Sequence, residues 1–401
     1  MLMYFALAVI PTAALAESVF RSNAVETITL PSTLYDGPVT VESIATKGHI
    51  DWPKLSPGVN DTTYDWWYYD VVSADASTSV TFVFYNAGPH GFINTRFGSN
   101  SLSASVSGIL SNGTNWGIAT PATSAVFTRP DKDPGIATSA VFENSGFSWN
   151  GTDIGHGKTT YVVTVDAPEL RVTGTMTLVS FAPARYPCGL DRAGQTEEAF
   201  PGVYWSVSVP DAEGSVDLRI NGTKVKFSGY GYHDKNWGDV PFIGTLSLSY
   251  WGHARPGPYS IVWANSIDAK GVEHASAYLA KDGKVLVSAC GEGTAVVRPW
   301  GKNSEFPPRI DTGPAEGLEV LFDLDDGRVF RANVTTSTVV DDEGAYIRTL
   351  GTVAGGFGGD DEKTYHGAAM FEALRRNSRT FAMGPPYSLS RAVDPLSYHA
   401  P

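Results

Sequence analysis

Cysteine is nearly absent: Cys188 and Cys290 are the two in 401 residues, and no Cys-x-x-Cys occurs. That excludes a cysteine-clustered zinc or thiol-redox motif. Metal spacing is also missing from the eight histidines, which form no His-Glu-x-x-His or His-x-His. No metal site is therefore expected from local motifs, although ligands distant in sequence stay open. There is no Gly-x-Ser-x-Gly elbow and no Gly-x-Gly-x-x-Gly fingerprint. Gly157-Lys-Thr159 resembles the end of a phosphate loop, but Thr152 stands where its first glycine belongs. A Ser-His-Asp triad assembled from scattered residues stays open, with nothing pointing to one. Basic charge is short as well. Lys and Arg number 29 against 42 Asp and Glu, a net charge of −13, which argues against nucleic acid as a partner. After the N-terminus no apolar run approaches the ~18 residues that span a bilayer, so no stable membrane anchor is expected.

Present instead are aromatics, with 10 Trp, 18 Tyr and 19 Phe, which suit an all-β core or a pocket for a flat, greasy small molecule. Residues 1–16 read as a secretory signal: an apolar run through Ile10, then Ala14-Leu-Ala16 as a cleavage site, without the usual basic n-region. Five Asn-x-Ser/Thr sequons, at Asn60, Asn112, Asn150, Asn221 and Asn333, agree with secretion and glycosylation. In an oxidising compartment Cys188 and Cys290 are expected to form one disulfide, the alternative being two separate buried thiols.

The remainder reads as strands and turns. Ser79–Tyr85, Thr160–Val165, Arg171–Val179, Val203–Val209, Gly244–Trp251 and Tyr259–Ala264 are rich in β-branched and aromatic residues between Gly, Pro, Asn and Asp clusters. Lys281-Asp-Gly-Lys284 marks a tight hairpin. Ala368–Arg375 reads as one short helix or as a closing strand. The expected fold is all-β: two barrel or sandwich domains, residues 17–240 and 241–401, with a ligand cavity at or near their junction.

The chain is organised around Gly229-Tyr-Gly-Tyr-His-Asp-Lys-Asn-Trp-Gly-Asp239. Lys224–Ser228 before it alternates polar and apolar, so His233 should share a face with Val225 and Phe227, with Tyr230, Tyr232 and Asp234 opposite. A bulge at the glycines would swap the faces. A second aromatic cluster is Trp66-Trp-Tyr-Tyr-Asp70, and a third is Tyr250-Trp-Gly-His253 with Trp263 and Asn265 across a hairpin. On alternation Ser247, Ser249, Trp251 and His253 share a face, either a pocket wall or a solvent face.

Tyr232-His-Asp-Lys-Asn-Trp-Gly238 resembles the Tyr-His-Asp-x-Asn-Trp-Gly signature of the hydroxyneurosporene-synthase-like (CrtC/AttH) lipocalin superfamily, and Trp66–Asp70 resembles its N-terminal aromatic-aspartate motif. The resemblance implies a lipocalin-like fold and, among fungal members, Diels–Alderase activity. With a signal and sequons it points to hetero-Diels–Alderases that join a tropolone o-quinone methide to a humulene-type sesquiterpene. Such a reaction proceeds by confinement and a hydrogen bond to a charged oxygen, and no cofactor is expected. Decalin-forming cycloaddition, terpenoid hydration or isomerisation, and non-catalytic carriage of a hydrophobic metabolite are the alternatives. The expected catalytic residues are His233, Tyr232 and Asn236. Trp67, Tyr68, Trp251, His253 and Trp263 are expected to bind substrate, with Trp66, Asp70, Asp234 and Trp237 in support. The oligomeric state is not readable.

Overall fold

Alternating β-branched, aromatic and polar residues give strands almost throughout. The structure, a computed structural model, describes residues 25–376 apart from 93–99, 134–135, 156–157, 310, 325, 343 and 359–362. The signal-like segment 1–16 lies outside the described residues. Among these, helix is confined to the turn Phe242–Thr245 and the 3-10 turn Pro168–Leu170.

Two large antiparallel sheets make the molecule. The first runs in the order Val25–Pro31, Ser124–Pro130, Ala137–Phe142, Phe147–Thr152, Thr160–Ala167, Val172–Ser180, Val203–Ile220, Thr223–Gly238, Tyr64–Ser73, Ser79–Ala87, Leu102–Ile109, Asn115–Pro121. Asn115–Pro121 and Ser124–Pro130 lie near opposite ends of this order but are two residues apart in sequence. The sheet therefore curls, bringing these two strands toward each other, and its inner face fills with Trp67, Tyr69, Phe82, Phe127, Trp149 and Tyr161. The chain then passes from Gly238 to Leu246 and begins a second sheet. Its order is Lys284–Cys290, Glu273–Lys281, Tyr259–Asp268, Leu246–Ala254, Tyr365–Arg375, Tyr346–Phe357, Val329–Asp342, Gly317–Asp323, Ala295–Trp300. Here too the two edge strands are sequence neighbours, so the sheet curls around Leu248, Trp263, Val320, Phe322 and Phe330. The expected all-β pair of lipocalin-like units is what the chain adopts. Asp282 and Gly283 both take positive φ, as the tight hairpin requires.

Tyr365–Arg375 is a strand, paired on both sides, so the helical reading of Ala368–Arg375 is corrected. Its alanines favour helix locally. However, Ala369, Phe371 and Ala373 face the second barrel's core, while Ala368 and Met370 face the junction, and that period of two selects the strand.

A third apolar cluster lies between the sheets and includes Tyr64, Trp66, Tyr68, Tyr232, Val262, Tyr278 and Met370. Polar clamps fix this junction. His253 Nε2 lies 3.0 Å from Asp70 Oδ2, and Arg255 donates to both oxygens of Asp211 at 2.7 Å. The Cys188–Cys290 disulfide, Cα atoms 4.5 Å apart and 102 residues apart in sequence, staples the same junction. No helix among the described residues is long and apolar enough to cross a membrane.

Candidate active site

The strand Thr223–Gly238 lies between Val203–Ile220 and Tyr64–Ser73, and its register with the latter pairs Tyr232 with Asp70, Asp234 with Tyr68 and Asn236 with Trp66. Residues directly opposite in an antiparallel pair share a face. Trp66, Tyr68, Asp70, Tyr232, Asp234 and Asn236 therefore point to the junction, and Trp67, Tyr69, His233 and Lys235 point into the first barrel. This is the parity that alternation gave. The glycines admit the protein itself rather than ligand: a Cβ on Gly229 would overlap the Val72 carbonyl, and one on Gly231 would meet the Leu178 side chain.

That parity removes His233 from the cavity. Its ring is fully buried, stacks on Tyr69 with centroids 3.8 Å apart, and meets Tyr161 edge-on at 4.6 Å. Nδ1 lies 2.9 Å from the Tyr68 carbonyl, so it carries the proton and donates, and Nε2 lies 3.1 Å from Asp51 Oδ1. Asp51 also accepts from Ser208 at 2.7 Å and from Tyr161. Burial would raise the Asp51 carboxyl, but the His233 charge and these donors hold it below its usual range. Trp67 stands on the same inner face, its indole N–H donating to the Asp51 carbonyl at 2.9 Å. Trp263 is likewise not in the cavity. The hairpin pairs Trp251 with Ala264, so Trp263 falls on the opposite face and fills the second barrel against Gly252. His253 shares the Trp251 face but is consumed by Asp70 and stacks on Tyr232 at 4.7 Å. Trp237 is framework: it donates to the Glu42 carbonyl at 2.7 Å and stacks on Tyr204.

What faces the junction encloses a cavity of about 240 Å³. Trp66, Tyr68, Trp205, Asp234 and Asn236 line it from the first sheet, and Ser249, Trp251, Ser266, Arg348 and Glu372 from the second. Phe92 and Phe242 pack on Trp66 at centroid distances of 4.2 and 5.5 Å. Ser249 and Ser266 form a hydroxyl pair at 2.8 Å, so this is the pocket-wall face rather than the solvent face. Of the residues singled out in the sequence, the structure brings Trp66, Tyr68, Asp234, Asn236 and Trp251 to one cavity. Tyr232 stands just behind.

Asp234 is the reactive-looking group. Oδ2 accepts from Trp205 Nε1 and from the Tyr232 hydroxyl, both at 2.8 Å, and Oδ1 accepts from Asn236 Nδ2 at 3.0 Å. Burial outweighs these donors and raises the carboxyl to about 7, with the Glu372 charge adding to the rise. Oδ1, with a single donor, is the oxygen free to hold a proton toward the cavity. On the opposite wall Arg348 Nε and the Tyr346 hydroxyl both donate to Glu372 Oε1 at 2.7 Å. Trp205, Tyr346, Arg348 and Glu372 escaped the sequence reading because none sits in a motif. A charge set inside apolar alternation, as in Tyr346-Ile-Arg-Thr-Leu350 and Met370-Phe-Glu-Ala-Leu374, was the signal available. No group of three or more His, Cys, Asp or Glu among the described residues is placed to hold a metal ion.

Residues 22–296, which include Thr223–Gly238 and both cavity walls up to Ser266, match the Diels-Alderase-like family. The chain belongs to that family. It is 36% identical to the quinolone epoxide rearrangement protein asqO of Emericella nidulans over 349 residues, 87% of this chain and 93% of that one. To the quinolone epoxide rearrangement protein penF of Penicillium thymicola it is 34% identical, over 86% of this chain and 94% of the relative. The Diels-Alderase poxQ of Penicillium oxalicum is more distant, 27% identical over 60% of this chain and 53% of its own length. The crystal structure of CghA superposes with a TM-score of 0.72 at 18% identity, covering 88% of this chain and 98% of CghA, a likeness of fold. These relations support a catalytic role, in which this Diels-Alderase-like protein cyclises or rearranges a small molecule.

Proposed function

We propose that the junction cavity catalyses an acid-assisted rearrangement of a flat, aromatic, epoxide-bearing substrate of the quinolone kind. The observation that carries this reading is a buried carboxyl, Asp234, raised to about 7 inside an aromatic cavity. A general acid works best when its pKa lies near the working pH. The two relatives that align over more than nine-tenths of their length favour the epoxide class. In the proposed step the proton on Asp234 Oδ1 passes to the epoxide oxygen and one carbon–oxygen bond breaks. The positive charge left on carbon is met by the ring faces of Trp66, Tyr68 and Trp251. An internal nucleophile or migrating group closes on that carbon, and the proton released from the product returns to Asp234. Substrate and product are isomers, so the step needs no co-reactant. Trp205, Tyr232 and Asn236 stabilise the transient carboxylate.

Incubating the full chain with a quinolone carrying a side-chain epoxide should give an isomer of unchanged mass, and Asp234→Asn should abolish it. Absence of the isomer with the parent protein would overturn the reading. A second reading is a [4+2] cycloaddition by confinement, including the hetero-Diels–Alder reaction of a tropolone o-quinone methide with a humulene-type alkene. Family membership and the aromatic walls support it, and its rate would be independent of the Asp234 proton. We also propose that the protein works in the secretory pathway. Support comes from the signal-like N-terminus and from the exposure of Asn112, Asn150, Asn221 and Asn333. Asn60 is half-buried, its amide donating to the Gly37 carbonyl at 3.0 Å. A mobility shift on enzymatic deglycosylation of the native secreted protein tests this.

A further inference from the structure

Across the cavity from Asp234 stands a polar pair that the acid step does not use. Arg348 and Glu372 are direct cross-strand partners on Tyr346–Phe357 and Tyr365–Arg375. Arg348 Nε and the Tyr346 hydroxyl occupy Glu372 Oε1. Among the described residues, Glu372 Oε2 and both Nη atoms of Arg348 have no hydrogen-bond partner, yet none of the three is sealed from the cavity. The side chains are 13% and 19% exposed, so little bulk water competes. The guanidinium is also held in place by rings: its central carbon lies 5.3 Å from the Tyr68 centroid and 5.6 Å from that of Tyr346. The result is a fixed edge with uncommitted N–H donors beside an uncommitted carboxylate oxygen.

A lone arginine in such a place would point to a carboxylate ligand. Here Glu372 is paired with Arg348 at 2.7 Å and already neutralises it, so no net positive charge is left to hold an anion. A neutral group that offers an acceptor and a donor side by side matches the edge instead. A planar ring lactam has that pattern, its carbonyl oxygen next to its N–H. We propose that the Arg348–Glu372 edge is the specificity site for a neutral secondary lactam, with an Arg348 Nη–H donating to the ring carbonyl and Glu372 Oε2 accepting from the ring N–H. The inference rests on the cavity being the active site and adds which edge of the substrate is read. A ring held there lies against Tyr68 and Trp251 and presents its far side toward Asp234.

The test is a binding measurement, so it does not depend on turnover. Dissociation constants of quinolin-2(1H)-one and 1-methylquinolin-2-one are measured on the full chain by ligand-observed NMR. The N–H lactam should bind about tenfold or more tighter, because the methyl compound leaves a desolvated carboxylate oxygen without its donor. In Glu372→Gln the amide oxygen stays with Arg348 and Tyr346, and an NH₂ group turns toward the ring N–H. The preference should then fall to near unity through loss of the N–H compound alone. Replacing the pair together, Arg348→Met with Glu372→Met, avoids an orphaned buried charge and should also bring the ratio to near unity, with both probes weakened because the carbonyl donor is lost as well. Asp234→Asn should leave the ratio intact. Equal binding of the two probes by the parent, or a preference that survives Glu372→Gln as a steric effect of the methyl would, overturns the inference. Neither of those outcomes bears on whether Asp234 is the acid, which the isomerisation assay decides.

Discussion

The two faces of Thr223–Gly238 carry similar residue types and do different work. On the odd face His233 and Lys235 are fully buried and matched: His233 between Tyr69 and Asp51, Lys235 on Asp65 with its ammonium 3.8 Å from the Trp67 ring centroid. Burial pushes the Lys235 amine well below its usual range. On the even face Tyr232 and Asn236 both donate to Asp234, and Asp234 and Asn236 line a cavity. Imidazole and ammonium are the more conspicuous chemical groups, yet both are fully buried and neither lines the junction cavity. The carboxyl looks like a strand-pairing residue, yet it has a proton to give and somewhere to send it. Access, rather than residue type, separates framework from site.

The largest expected effect lies on the odd face. His233→Ala removes a stacked ring and leaves Asp51 without its counter-charge in a dry interior, at a cost of about 3–5 kcal/mol of stability. The urea midpoint should fall accordingly, while protein still folded keeps the parent's pH profile. A variant as stable as the parent but inactive would break the comparison by moving His233 to the site.

Asp234→Asn should do the reverse. A general acid is worth on the order of 10²–10⁴ in rate, so kcat should drop by about that factor in a folded protein. Stability should rise, with a defined pH dependence. Because the folded-state carboxyl sits at about 7 against an ordinary 3.8, the native protein holds a proton that the unfolded chain has released between those values. Asp234 therefore costs stability progressively from about pH 4 to about pH 7 and fully above. The asparagine variant should gain on the order of 4 kcal/mol at pH 8 and well under about 1 kcal/mol at pH 4. Equal gains at both pH values would mean that Asp234 is not the raised group.

Much of this was legible in the residues. Period-two alternation is a local property, so the all-β fold and the parity of the central strand follow from neighbours along the chain. Which face is dry and closed is not local. It depends on Trp149 and Tyr161, distant in sequence, filling the space beside His233. Treating Trp67 and Tyr68 as one cluster placed adjacent residues in the same cavity, which a strand forbids. Trp263 failed for the same reason, one step out of register with Trp251. Arg348 and Glu372 meet only because the second sheet brings residues 346–357 and 365–375 together.

A smaller effect sharpens the even face alone. Trp251 is half-buried and packs edge-on against Tyr68 and Tyr232, with centroids 5.5 and 5.2 Å away. Trp251→Ala should widen the cavity, slow turnover about tenfold and change the product ratio, since a looser wall holds the reacting carbon in more than one pose. Chiral chromatography of the products reads this directly. A slower enzyme with an unchanged ratio would make Trp251 a packing residue like Trp263.

The smallest expected effect is the most specific. Asn236 Nδ2 donates to Asp234 Oδ1 at 3.0 Å and thereby favours the ionised carboxyl. Asn236→Ala removes that donor, so the Asp234 pKa should move further up from about 7. Asn236 is half-buried, and water entering the vacated space replaces part of the bond. The shift should therefore be under about one unit, less than the full value of a hydrogen bond to a charged group. The acid form then persists to higher pH. The limb along which the rate falls should slide upward, and the ratio of rates at pH 8 and pH 6 should increase even if the absolute rate declines through poorer positioning. A residue that only packed against the substrate would lower the rate at every pH and leave the limb in place. A limb that moved downward would mean that Asn236 stabilises the protonated carboxyl, with its amide oxygen rather than its NH₂ turned toward Asp234.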